Sequence, residues 1–166
     1  MADSIRQWKE MDLKEAIRSS YLAQGLSDAQ LASLFALAEW QSFKAGDEIL
    51  HQFDDSHDLM ILATGAANVI TLIGETIGVI KPGMPMGEVS LLDSKLRSGT
   101  VVAREACDVV VFSADPLMKL LLTSPDLAAT FFLNISRVLC ARLRSANQYL
   151  DVLMALEESE AGSSNS

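Results

Sequence analysis

The chain has 166 residues, 49% hydrophobic and 21% charged, which suits one globular domain able to bury a core without disulfides or metals. Its 22 acidic residues against 13 basic ones leave a formal charge of -9, a field that repels nucleic acid and anionic lipid at long range. No apolar run approaches the length of a membrane span, and the charged start "MADSIRQWKEMDLKEAIRSS" has no apolar signal core.

Residues 1–42 read as a helical segment. In "SDAQLASLFALAEW", Ser27 stands as a cap, and Leu31, Leu34, Phe35 and Ala38 recur at helical spacing. Residues 43–113 change character. Short Val- and Ile-rich runs ("DEILHQF", "DLMILATG", "ANVITLIG", "TIGVIKPG", "GTVVARE", "CDVVVFS") are separated by glycines. Their spacing of about ten residues predicts a small antiparallel barrel or sandwich. Residues 114–156 return to helix. Ser124 is a cap, Pro125 takes the first helical position and Asp126 sits in the first turn. Phe132, Ser136, Leu139, Leu143, Ala146, Leu150 and Leu153 then alternate four and three apart, a heptad-like seam that predicts a homodimer through helix 125–155. Residues 157–166 read as a disordered tail. Cys107 and Cys140 lie in apolar surroundings and are expected as reduced, buried thiols, which favours a cytoplasmic protein.

The stretch "MGEVSLLDSKLRSGTVVA", residues 86–103, carries the chemistry. Gly87 permits close backbone approach, and "EVSLL" is long enough for one helical turn with free N–H groups. Arg97 can give two parallel charge-assisted bonds to a phosphate, and Ser98 a third. Glu88 accepts only, so it suits a sugar hydroxyl. From chemistry alone a second reading stays open: Arg97 pairs with Glu88 or Asp93 on a loop.

This stretch resembles the phosphate-binding cassette of the cyclic-nucleotide-binding domain family. Gly87, Glu88, Val89, Ser90, Leu91, Arg97, Ser98, Gly99, Thr100 and Val101 fit its order. "FKAGDEIL", "LMILATGAANV", "IKPGMPMGE" and "CDVVVFSADPLMKLLLTSPDLAATFF" are similar to further family segments, so the likeness covers residues 26–153. It implies an α+β fold: N-terminal helices, an antiparallel, jelly-roll-like β-roll of eight strands and a long C-terminal helix. It implies a binding site at Gly87, Glu88, Val89, Ser90, Arg97, Ser98 and Gly99. Glu88 would take the ribose 2'-hydroxyl, Arg97 the cyclic phosphate, and Ser98 the phosphate and at times the base. The long helix would cover the base near Arg142, Ser145, Ala146 and Asn147, with Asn147 the preferred base contact. The chain departs from the family pattern at the turn "QFDDSHD", where relatives carry glycines, and at Met86, Leu96 and Gly99. These departures bear on affinity and base preference.

The resemblance implies a stand-alone second-messenger sensor, related to catabolite-activator-like receivers, that binds a 3',5'-cyclic mononucleotide. Cyclic AMP is favoured over cyclic GMP, and the signal passes to an effector protein. In transcription factors with this domain a helix-turn-helix module follows the long helix; here only the short tail follows, so nucleic acid is not an expected partner. No catalytic motif is present, so no enzyme is expected. His51 and His57 among Asp54, Asp55 and Asp58 read as a solvated turn, and no metal is expected. Met118, Phe131, Phe132 and Met154 read as core or seam, and Arg137, Arg142 and Arg144 as a solvated helix face. Two other classes remain: a non-binding dimeric module with a decayed pocket, and a sensor of haem or metal through His51 and His57.

Overall fold

The structure is a computed structural model that describes residues 12–163. The first part of the expected N-terminal helix and the last three tail residues lie outside that range.

Residues 12–18 are helical (α1). A short 3-10 turn, Tyr21–Ala23, leads to α2, Asp28–Phe35. Ser27 caps α2 in a reciprocal box: its hydroxyl accepts from Gln30 N, and Gln30 Oε1 accepts from Ser27 N. Arg18 joins α1 to α2 through Asp28 at 2.9 Å. The helical segment ends sooner than its apolar spacing suggests. Ala38–Phe43 is a strand, β1, and not the end of a helix running to residue 42. Ala38 and Trp40 pair with Phe112 and Val110 of the final strand, and those sheet contacts outweigh local helical preference.

The strands that follow are β2 (Glu48–Leu50), β3 (Leu59–Thr64), β4 (Ala67–Ile70), β5 (Thr76–Ile80), β6 (Pro85–Met86), β7 (Thr100–Ala103) and β8 (Cys107–Phe112). A short helix, α3 (Glu88–Asp93), separates β6 from β7. The strands form two antiparallel four-stranded sheets, ordered β1-β8-β3-β6 and β2-β7-β4-β5. Strand alternation divides the core in two. Met60, Leu62, Val109 and Val111 point between the sheets and meet Ile80, Met86 and Val101. Leu59, Ile61, Val110 and Phe112 point the other way, onto the helices. β3 and β8 are apolar on both faces for that reason, and "DVVVF" reads as an unbroken run.

Two helices complete the chain: α4 (Ala114–Thr123) and α5 (Pro125–Ser163). Leu117 and Leu121 of α4 and Leu127, Phe131 and Ile135 of α5 fill the helix-side core. Leu139 still packs against it. Beyond that point α5 leaves the body of the domain: Leu143 is 62% exposed and Leu150 is 55% exposed. The helix continues through residues 157–163, where the sequence suggests a disordered tail. Cys107 is buried as expected, but Cys140 is exposed on α5. Among the described residues no helix is long and apolar enough to cross a membrane.

Candidate nucleotide site

β6 delivers the chain to Gly87, whose φ of 81° is left-handed. A Cβ there would lie 2.5 Å from Arg97 NH1 and 2.6 Å from the Asp58 carbonyl, so only glycine fits. From Gly87 the backbone enters α3, whose first N–H groups have no intrahelical partner. Glu88, Ser90 and Leu91 are the buried residues of this turn. The loop after α3 brings back Arg97, which is only 2% exposed.

Arg97 is held by four protein acceptors. Nε donates to Ser56 Oγ at 2.9 Å, NH1 to Ser90 Oγ at 2.7 Å and to the Gly87 carbonyl at 3.1 Å, and NH2 to the Asp58 carbonyl at 2.8 Å. Its backbone is fixed as well, with N donating to the Asp54 carbonyl and O accepting from Phe53 N. Burial pushes the guanidinium pKa down, and the fields of Asp58, Asp54 and Glu88 oppose that shift. Arg97 thus pairs with neither Glu88 nor Asp93. It also lacks the free fork that two parallel phosphate bonds require, since one N–H of NH2 is left.

The arginine that pairs with Glu88 is Arg142 of α5, which also donates to the Pro85 carbonyl. Glu88 is 1% exposed, and its other oxygen, Oε2, is buried without a partner. Arg142 therefore spans from the long helix to the cassette, and is not part of a solvated face. From the residues alone it is one of several helix arginines; only the family likeness sets it apart from Arg137 and Arg144, by placing it near the base. Ser56 and Asp58 are also missed: they lie far from the cassette in sequence, in the turn between β2 and β3. Ser90 is turned inward to Arg97.

Glu88, Ser90, Arg97 and Arg142 border one cavity of 730 Å³. Gly87, Glu88, Val89, Ser90, Arg97, Ser98 and Gly99 all line it. Val69, Ile73 and Ile77 of the β4–β5 hairpin form one wall, and Leu139, Leu143 and Ala146 of α5 form the roof. One end of the cavity is thus cationic and polar, and the other apolar. Asn147 does not line it. It is exposed, on the stripe that also carries Leu143 and Leu150. His51 pairs with Glu48, and His57 lies 3.9 Å from Asp55. Among the described residues no three metal-binding side chains converge.

A family model for the cyclic nucleotide-binding domain matches residues 40–124, from β1 to the cap of α4. The chain belongs to the cyclic nucleotide-binding domain family. Its roof helix α5 lies beyond the matched span. A crystal structure of a cyclic nucleotide-binding domain from Methylobacillus flagellatus is 26% identical, with a TM-score of 0.75 over 86% of this chain and 83% of that one. The Cyclic AMP receptor protein of Thermus thermophilus is 28% identical over 82% of this chain and 63% of its own length. Glutaminase 1 of Bradyrhizobium diazoefficiens is 29% identical over 80% of this chain, which spans only 21% of that enzyme. Both curated relatives are longer than the region they share with this chain.

Proposed function

We propose that the chain is a receiver for a 3',5'-cyclic mononucleotide, with cyclic AMP preferred to cyclic GMP, and that α5 passes its occupancy to an effector protein. The observation that carries this reading is the meeting of Glu88 and Arg97 on one cavity beneath α5. Glu88 Oε2 is a buried carboxylate oxygen in need of a donor, and a ribose 2'-hydroxyl is one. The remaining N–H of Arg97 and the Ser98 hydroxyl suit the cyclic phosphate. The apolar end, between Ile73 and Leu143, suits a purine. The preference for cyclic AMP leans on likeness to the Thermus receptor and not on Asn147. Arg142 supplies the mechanical link, since a nucleotide that engages Glu88 must act on the helix that Glu88 holds.

The reading includes a homodimer through helix 125–155. Leu143 and Leu150 are exposed there, and a second copy would cover both, together with Asn147. It also includes a cytoplasmic setting, without catalysis, bound metal or nucleic acid. Calorimetry with cyclic AMP and cyclic GMP tests the core of the proposal. Wild type should bind cyclic AMP, and Arg97→Ala should bind at least roughly tenfold more weakly, as expected for a lost charge-assisted bond. Equal affinities in the two proteins would remove the site from Arg97.

A further inference from the structure

Most polar side chains on the cavity wall are committed within the protein. Glu88 and Arg142 hold each other. Ser90 accepts from Arg97 NH1 and donates to the Gly87 carbonyl. Four of the five guanidinium N–H groups of Arg97 are engaged by protein acceptors. Thr71 of the β4–β5 hairpin accepts from Glu75 N. Two side chains on the wall, Ser98 and Gln52, have no protein hydrogen-bond partner among the described residues. Nothing in the sequence marks Gln52, which opens the acidic turn "QFDDSHD". The backbone puts it at the phosphate end. Its N–H donates to Thr100 Oγ1 at 3.0 Å, and the next N–H, of Phe53, donates to the Arg97 carbonyl at 3.0 Å. Residues 52–53 thus lie along residues 97–100, with Ser98 between the two bonds. Leu50 and Gln52, two apart, both border the cavity, whereas His51 between them turns outward to Glu48. Gln52 is half-buried.

A cyclic phosphate brings two exocyclic oxygens, each able to accept more than one hydrogen bond, and burial beneath α5 takes them from water. Arg97 and Ser98 offer one side-chain donor each. The Gln52 amide offers two more N–H groups without adding charge. We infer that Gln52 is a third phosphate-binding side chain, whose amide donates to one exocyclic oxygen of the cyclic phosphate beside Ser98. The inference rests on the reading of Arg97 as the phosphate contact, and it adds a residue from outside the cassette.

Three monoanionic probes test it: cyclic AMP and its two phosphorothioate diastereomers, in which sulfur, a weak hydrogen-bond acceptor, replaces one exocyclic oxygen or the other. Each competes with a fluorescent cyclic AMP on wild type, Gln52→Ala and Gln52→Glu. Both variants should keep the urea midpoint of wild type, because the amide has no protein partner to lose. Gln52→Ala should bind cyclic AMP about fivefold more weakly, as expected for one lost hydrogen bond. One diastereomer should lose almost nothing, since its sulfur already stands where the amide would donate. The other should lose as much as cyclic AMP. Gln52→Glu, of the same shape but acceptor-only when ionised, should weaken cyclic AMP at least roughly twentyfold. A uniform loss across the three probes in Gln52→Ala means an indirect effect and overturns the assignment. Wild type that binds cyclic AMP and loses it with Arg97→Ala, while either Gln52 variant binds as wild type does, overturns the assignment alone. Wild type that is folded by circular dichroism yet binds none of the probes overturns the assignment and the nucleotide reading together.

Discussion

The two ends of the 730 Å³ cavity are built in different ways. At the phosphate end, Arg97 is 2% exposed and fixed by four side-chain hydrogen bonds and two backbone bonds. Its anchors come from β6, α3 and the β2–β3 turn, which are tied to the sheets. At the roof, Arg142 is a third exposed and, among the described residues, reaches only Glu88 and Pro85. Leu143 beside it is 62% exposed. One end is set when the core folds; the other hangs on one ion pair and a helix with little else beneath it. A ligand that touches both joins a rigid element to a movable one. It can shift the movable one only by its differential affinity for the two arrangements.

Substitutions at the two ends should therefore differ in kind. Arg97→Ala has the largest expected effect. It removes a buried cation and leaves acceptors at Ser56, Asp58, Gly87 and Ser90 unmet. Besides the loss of nucleotide, stability should fall by about 3 kcal/mol in urea denaturation, given roughly 1–3 kcal/mol per stranded polar group and partial relief by water. Unchanged stability would mean that the network around Arg97 is not formed in solution.

Next is the oligomer. Leu143→Glu with Leu150→Glu places four charges across a two-fold contact, each costly to bury. Light scattering should show a dimer for wild type and a monomer for the variant. A monomeric wild type would confine the roof to a single chain.

Arg142→Ala should be milder in affinity, about three- to tenfold weaker for cyclic AMP, because the pair is partly solvated. Its signature is separate: faster hydrogen exchange over residues 140–155 with little change over 86–101. Equal loosening of both segments would erase the contrast between the ends. Ser98→Ala, which removes one hydroxyl at the cavity edge, should have the smallest effect, about threefold in affinity with no change in stability.

Legibility in the sequence follows the same division. The cassette could be read because its backbone demands are local: a glycine forced by contact with Arg97, a buried Glu-x-Ser turn, and an apolar strand after the arginine. The β-roll could be read from period-two runs and glycine punctuation. The turn that clasps Arg97 could not, since Ser56 is 41 residues from it in sequence and a serine between aspartates looks like any solvated loop. The partner of Glu88 was hidden for a like reason. Helical periodicity places Arg142, Ser145 and Asn147 on neighbouring stripes, and only the docking angle of α5 decides which meets the cassette. That angle is set by Leu127, Phe131 and Ile135, roughly two to four turns earlier. Apolar spacing does not mark the end of α2, because Ala38 and Trp40 satisfy a helical stripe as well as they satisfy pairing with β8.

The most direct test of the link between cassette and helix is hydrogen exchange on wild type with and without saturating cyclic AMP. A nucleotide held by Arg97 and Glu88 beneath α5 should slow exchange over residues 86–101 and change it over residues 140–155 in the same titration. Protection limited to 86–101, with 140–155 unmoved, would contradict the account: the chain would then bind its nucleotide without relaying it through the helix.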